Sequence, residues 1–341
     1  MALLFMDGFD LYTSIADVAK RGWGGGNFGS IAQSPRVSVS SGKSINSLQS
    51  GINTLGIPGA PATTIVGMGI NHNGGFGLRF TDPLTNSNAV QVLAAFDASG
   101  FLSVSRVNSS ITTTFVYSST TQLFKPSVWN FIELKTFSHA TSGTIEIRVN
   151  NSTVCSLGGV NTAASGVARL AQFGFGGASS SITFIDDFYM LDTSGSRLND
   201  FLGDCRIDPQ APNSDISISG WTRSVGSTDF SAVNKSFLVS TPNLSAANSG
   251  ALDSFGIVPL GSTPVTVHAV QATLAALRTD TGPASLRANI KSGATTQTGS
   301  AYTPGTSSLY QSEIAALNPN TSAVWSASAV NSLQLQIERA S

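Results

Sequence analysis

The stretch Thr144-Ile145-Glu146-Ile147-Arg148-Val149-Asn150-Asn151-Ser152-Thr153 decides the fold class. Ile145, Ile147 and Val149 recur at every second position with Glu146 and Arg148 between them. An extended chain with that alternation has one apolar face and one charged face. Asn150 and Asn151 follow at once, and Asn tolerates the left-handed backbone that a two-residue hairpin turn requires. The stretch therefore reads as a strand, a tight turn and a return strand over 153–157.

Working outward, short runs rich in Val, Ile, Phe and Thr recur between clusters of Gly, Asn and Ser, the pattern of an all-β sandwich or barrel. Strands are expected at 2–6, 35–39, 64–71, 77–80, 90–96, 102–107, 113–117, 129–136, 172–176 and 183–191, a set that needs two facing sheets. Residues 193–214 change character. Thr193-Ser194-Gly195-Ser196, then Asp200, Asp204 and Asp208, then Pro209 and Pro212, mark a connector. Beyond it, strands are expected at 237–240, 255–259, 265–277, 286–292 and 333–339, with helical turns at 310–317 and 324–332. The chain thus divides into a β-sandwich at 1–192, a connector at 193–214 and a second, smaller β-rich domain at 215–341.

Charged residues make up only 11% of the 341 residues, against about 25% in an ordinary soluble domain. Eighteen Lys and Arg are balanced by 19 acids for a net charge of −1. No basic stripe remains to displace phosphate counterions, so nucleic acid is excluded as a partner. With only four Glu and three His, groups for proton transfer are sparse, and a non-enzymatic protein is expected. Cys155 and Cys205 fit no metal or redox spacing, so two free thiols and no cofactor are expected. No apolar run reaches membrane-spanning length. The first residues, Met-Ala-Leu-Leu-Phe-Met followed by Asp7, lack a signal-peptide pattern, which sets an expectation of synthesis in the cytoplasm.

Two glycine-rich motifs are empty of context. Gly24-Gly25-Gly26-Asn27-Phe28-Gly29 has dinucleotide-loop spacing without a βαβ unit, and Ser41-Gly42-Lys43-Ser44 lacks the upstream glycine of a phosphate loop, Val37 standing there. The acidic pair in Phe184-Ile185-Asp186-Asp187-Phe188 is sharper. Neighbouring strand residues face opposite ways, so Asp186 and Asp187 are not placed to flank one glycosidic bond. A carboxylate turned into an apolar strand needs N–H donors or a metal. Capping of backbone amides is the structural reading, and Asp186 and Asp187 are also weak calcium candidates. Asp7 and Asp10 in Phe5-Met6-Asp7-Gly8-Phe9-Asp10 repeat the texture, and pairing of first and last strands would bring these acids together. Asp7, Asp10, Asn150, Asn151 and Asp187 are assigned structural roles.

The opening Leu4-Phe5-Met6-Asp7-Gly8-Phe9-Asp10, the strand Trp129-Asn130-Phe131-Ile132-Glu133-Leu134, the hairpin at Thr144 to Asn150 and the closing Ile185-Asp186-Asp187-Phe188-Tyr189 resemble the concanavalin A-like (laminin-G-type) jelly roll. The likeness covers residues 1 to about 192. With Asn199-Asp200-Phe201-Leu202-Gly203-Asp204, Trp221 and Ala327-Ser328-Ala329-Val330-Asn331-Ser332-Leu333-Gln334 added, the whole chain is similar to virion proteins of tailed bacteriophages. The jelly-roll resemblance implies a binding role. Its glucanase branch carries catalytic acids as Glu-x-Asp-x-Glu, which Glu133 and Glu146 do not reproduce, and the metal cluster of its legume-lectin branch has no match, so no catalytic residue and no metal are assigned.

Sugar-binding surfaces use aromatics and neutral amides, which makes Trp23, Tyr117 and Trp129 carbohydrate-binding candidates. His72, in a turn among Asn71, Asn73, Gly74 and Gly75, is a fourth. The expected function is that of a structural virion protein, a tail-fibre or tail-appendage subunit in assembly and host attachment. It would form homo-oligomers, pack against other virion proteins and meet a host surface glycan. A capsid decoration protein and a carbohydrate-binding adhesin are the alternatives.

Overall fold

The computed structural model describes residues 2–25, 28–32, 36, 43–47, 51–85, 89–108, 113–177, 183–234, 241–280 and 282–341, with the backbone alone at 47 and 113–118. The chain forms two compact units, Met1–Ile207 and Asp208–Ser341.

In the first unit the strands are, in chain order, β1 (Leu3–Asp7), β2 (Trp23–Gly24), β3 (Phe28–Ala32), β4 (Ser44–Ser47) and β5 (Asn53–Gly56). Next come β6 (Thr63–His72), β7 (Phe76–Thr81), β8 (Val90–Phe96), β9 (Leu102–Val107) and β10 (Thr113–Ser118). The last five are β11 (Asn130–Phe137), β12 (Gly143–Val149), β13 (Ser152–Val160), β14 (Gln172–Gly177) and β15 (Thr183–Leu191). They form two antiparallel sheets. One has the order β13-β12-β11-β6-β15-β4-β3 with β1 also paired to β15, and the other the order β10-β9-β8-β7-β14-β5-β2. This is an all-β sandwich of the jelly-roll class, its first strand closing on its last with Asp7 opposite Phe188.

Alternation decides which side chains lie between the sheets. Ile132, Leu134, Ile145 and Ile147 from one sheet and Phe80, Val92, Val104 and Phe173 from the other are all within 1% of complete burial. At about 25 cal/mol per Å² of apolar surface, such layers dominate the stability of the unit. The hairpin that opened the reading is present, with Val149 opposite Ser152 and Asn150 and Asn151 at φ 49° and 66°. Its return strand is longer than expected, Ser152–Val160.

The second unit pairs the strands Pro212–Ser217, Leu252–Ile257, Gln334–Arg339, Leu286–Ser292 and Thr295–Gln297 in that order. A separate ladder joins Val270–Ala276 to Leu309–Ala315. Ile257, Ala272, Ile290, Ala315, Trp325, Val330 and Leu333 make one apolar cluster, with Trp325 Nε1 donating to the Ala315 carbonyl at 2.9 Å.

Three expectations need correction. Most of the stretch 310–317 belongs to the strand Leu309–Ala315 rather than to a helical turn, because seven consecutive pairings with Val270–Ala276 satisfy its backbone groups and override local preference. The turn at 324–332 contracts to the helix Ala327–Asn331, its Ser326 Oγ accepting from Ala329 N–H at 3.1 Å. Residues 193–207 belong to the first unit, and the strand Pro212–Ser217 already belongs to the second, so 193–214 is no free connector. The strands expected at 35–39 and 237–240 lie outside the described residues.

Candidate functional site

The two outer faces of the sandwich differ in kind. The eight-stranded sheet turns Phe131, Glu133, Lys135, Arg148 and Tyr189 outward, and residues 199–207 lie across them as a strap. Gly203 N–H donates to Glu133 Oε1 at 2.8 Å, and that oxygen also accepts from the Tyr189 hydroxyl. Leu202 N–H donates to the same hydroxyl at 3.2 Å, and Asp204 N–H donates to Asn151 Oδ1 at 2.8 Å. Lys135 pairs with Asp200 at 3.0 Å, and the Arg148 guanidinium lies 4.2 Å from the centre of the Phe201 ring. Tyr189 crosses Gly67 so closely that a Cβ there would sit 2.3 Å from its Cε1.

Arg36 holds the centre of this face. Its Nε donates to Asp187 Oδ2 at 2.8 Å, Nη1 and Nη2 reach Asp204 and the Cys205 carbonyl, and the guanidinium lies 5.1 Å from the Phe131 ring centre. Strand β15 bulges after Asp186, and Asp187 takes φ 52°, so both carboxylates of the pair come to the same side. Asp186 accepts from the N–H groups of Arg36 (3.0 Å) and Asp187 (2.9 Å), and Asp187 Oδ1 from Ile207 N–H (2.7 Å). Each oxygen of the calcium candidates already accepts an N–H donor, and a guanidinium stands where a cation would. Burial opposes the charge of Arg36, but Asp187 and then Asp204 outweigh it and strengthen its hold on the proton. Burial, and after it the charge of Asp187, raises the pKa of Asp186. Cys205, within the strap itself, is pushed up to about 12 by burial.

The outer face of the seven-stranded sheet has almost no charge. Across its middle runs the row Ser105, Leu93, Arg79, Gly174, Thr54 and Gly24, one residue from each neighbouring strand from β9 to β2. The next row brings Ser103, Ala95, Gly77 and Gly176 together. The glycines let other groups lie close against the sheet: a Cβ at Gly176 would stand 2.2 Å from the Gly51 carbonyl oxygen, so the segment before β5 covers that end of the face. At Gly174 a Cβ would stand 3.0 Å from an Ile52 methyl and 3.2 Å from Arg79 Nε, so the missing side chain is what lets the Arg79 stem lie along the sheet. Gln172 Oε1 accepts from the Thr81 hydroxyl at 3.3 Å, which leaves its amide N–H₂ to donate outward. Hydroxyls, one amide and one guanidinium on a flat, half-exposed surface suit hydrogen bonding to a polyhydroxylated ligand.

The sequence-derived candidates do not converge on that face. Trp23 is 2% exposed, sits among Phe5, Phe9, Phe28, Phe175 and Phe188, and donates Nε1 to Asp7 Oδ2 at 3.0 Å. It is a core residue, not a glycan platform. Asp7 also accepts from Tyr12 (2.5 Å) and Phe9 N–H (3.0 Å), and burial raises its pKa. Asp10 accepts from Lys43 N–H at 2.6 Å.

His72 is 1% exposed between Phe76 and Phe124, and burial lowers its pKa. It too is unavailable to a ligand. Tyr117 lies on edge strand β10 of the seven-stranded sheet, its backbone opposite Val104, with its side chain outside the described atoms. Trp129 is half-buried just before β11. A shallow depression beside it is lined by Gln122, Lys125, Asn130 and Asn150. Its amides are already engaged: Asn130 Nδ2 donates to the Lys125 and Val128 carbonyls, and Asn150 Nδ2 to Asn130 Oδ1.

Arg79 and Arg36 were missed. In Phe76-Gly77-Leu78-Arg79-Phe80, alternation does place Arg79 opposite the core, which was a usable signal. Nothing local marks Arg36, whose partners lie about 150 residues or more away.

Comparison with known proteins names no family. No family model matches the chain, and no curated protein is similar to it. Among solved structures it is similar to the CBM2 module of the evolved Dit of Lactobacillus casei BL23 phage J-1, at 12% identity over 57% of this chain and 97% of that one, TM-score 0.37. It is also similar to alginate lyase Aly36B (14% identity, 55% of this chain and 96% of that one, TM-score 0.32) and to sheep galectin-11 (12%, 41% and 96%, TM-score 0.30). At such TM-scores these likenesses carry no argument about function.

Proposed function

We propose that the chain is a non-enzymatic attachment protein that binds a host surface glycan through the open face of its seven-stranded sheet, as a subunit of a tailed-phage appendage. The observation that carries the reading is the contrast between the faces: one is roofed by residues 199–207 and rich in ion pairs, the other, among the described residues, has no such roof over Arg79 and is neutral around it. Carboxylates support the non-enzymatic reading by their placement. Asp186 and Asp187 are bound to backbone amides and Arg36, Glu133 to the strap, and no Asp or Glu stands in the rows around Arg79. An acid–base pair for glycoside hydrolysis is therefore missing from the face that is open.

The second unit supplies the assembly side of the proposal. It leaves Ile216, Ile218, Val258, Val265, Leu277 and Leu309 exposed, apolar side chains that neighbouring subunits could cover. A glycan array with the full-length protein, repeated in EDTA, tests the reading. Binding that survives EDTA and disappears in Thr54→Trp, which fills the middle of the open face, is the expected result. Silence on every glycan, or loss of polysaccharide viscosity during incubation, would overturn it. Imaging of the assembled particle decides appendage against capsid surface.

A further inference from the structure

On the reading that the open face binds a glycan, we infer that the glycan is acidic and that Arg79 receives its carboxylate or sulfate group. Arg79 is half-buried at the middle of the face, and its Nε is buried with no acceptor. Four other arginines of the unit are engaged within the chain: Arg36 has Asp187 and Asp204, Arg148 has Glu146, Arg169 has Asp82, and Arg21 lies over Phe5. All 19 acids of the chain lie among the described residues, and none pairs with Arg79. Its pKa is lowered by burial alone, with no carboxylate pulling the other way.

A partly desolvated cation without an anion is a cost the fold carries for no internal return. Leu93 on one side and Gly174 with Ile52 on the other wall the guanidinium with apolar groups, which strengthens its attraction for an incoming anion. A guanidinium presents paired donors that match the two oxygens of a carboxylate or sulfate. Around it, Thr54 and the Gln172 amide, both half-buried, can take sugar hydroxyls. The ligand chemistry is thus one anionic group with neutral hydroxyls on either side, a saccharide unit of an acidic polymer.

The test uses the full-length protein and four polymers: polygalacturonate, its carboxyl-reduced counterpart, dextran sulfate and dextran. Affinity is measured by biolayer interferometry for the native protein, Arg79→Gln, Arg79→Lys and Thr54→Trp, with the melting temperature of each recorded. Expected is binding to polygalacturonate or dextran sulfate, about tenfold weaker in Arg79→Gln, partly kept in Arg79→Lys, which retains the charge without the paired donors, and equally weak for native protein on the carboxyl-reduced polymer. Whichever anionic polymer binds names the group. Equal binding of acidic and neutral polymers, lost in Thr54→Trp but not in Arg79→Gln, would overturn the acidic ligand while leaving the glycan-binding face intact. Absence of all binding would overturn both. If Arg79→Gln fails to fold, the comparison of polymers on the native protein still decides.

Discussion

Arg36 and Arg79 lie on opposite outer faces of one sandwich, and their surroundings show what each face is for. Arg36 meets two carboxylates, a carbonyl and an aromatic ring, and through them fastens the strap 199–207 to the eight-stranded sheet. Arg79 meets glycine, leucine and isoleucine, and no acid. The same alternation of strand residues made both faces, so the difference comes from what the rest of the chain lays over them. A roofed face stores its charges in pairs and contributes stability, whereas an open face with an unpaired charge is arranged for something outside the molecule.

The comparison breaks most readily at Arg36. Arg36→Ala leaves Asp187 and Asp204 without their cation and Asp186 still buried beside them, and should cost the first unit on the order of 3–5 kcal/mol in urea unfolding. Lys135→Ala on the same face is the control. Its partner Asp200 is 65% exposed, so the loss should stay within about 1 kcal/mol. Equal effects of the two substitutions would show that the strap is not held from Arg36.

Next in size is the hairpin. Asn151→Val puts a β-branched residue at φ 66° and removes the acceptor for Asp204 N–H, and should cost about 1–3 kcal/mol. An unchanged melting temperature would refute both the turn and its tie to the strap. This residue also shows what the sequence could reveal. The turn at Asn150–Asn151, the inward face of Ile145 and Ile147, and the closure of the first strand on the last were legible because alternation and turn chemistry are local. The strap was not: Asp200, Asp204 and two prolines resemble a linker in composition, and only the distant Arg36 and Glu133, with Tyr189, make it a roof. For the same reason Trp23 and His72 misled. An aromatic residue near glycines gives no sign of its burial until Phe175 or Phe124, 50 residues or more away, packs on it.

A smaller effect separates the faces by pH. Asp186 has its pKa raised by burial and by Asp187. Between the ordinary carboxylate value of 3.8 and that raised value the folded unit holds a proton that the unfolded chain has released. Its contribution to stability is therefore present at low pH and lost as pH rises through the folded value. Asp82 acts in the opposite sense: burial opposes its charge, but hydrogen bonds from Arg169, Thr85 and Ser165 with the charge of Arg169 together outweigh it and lower its pKa. The informative quantity is thus the difference between native protein and Asp186→Asn, whose unfolding midpoint should lose part of its decline with rising pH. The second unit offers an independent case. Burial, together with Asp229, pushes Asp253 up to about 6, so its stabilising term fades between pH 3.8 and about 6, and Asp253→Asn should remove that slope. No term of this kind belongs to the open face, which has no carboxylate to titrate.

The smallest expected change in stability is the most telling. Arg79→Gln removes a guanidinium that pairs with no acid, shortens a side chain walled by Leu93, Gly174 and Ile52, and leaves no partner unsatisfied behind it. The melting curve should shift by no more than about 0.5 kcal/mol in either direction, or rise as the half-buried charge is relieved. Arg36→Gln, the same chemical change on the other face, should destabilise severely. If Arg79→Gln instead costs as much as Arg36→Gln, then Arg79 has a structural partner, the two faces are alike in design, and the case for an external anion falls with the contrast. A silent Arg79→Gln would mean that folding makes no use of this cation, so its place at the middle of an otherwise neutral face must be explained by what binds there.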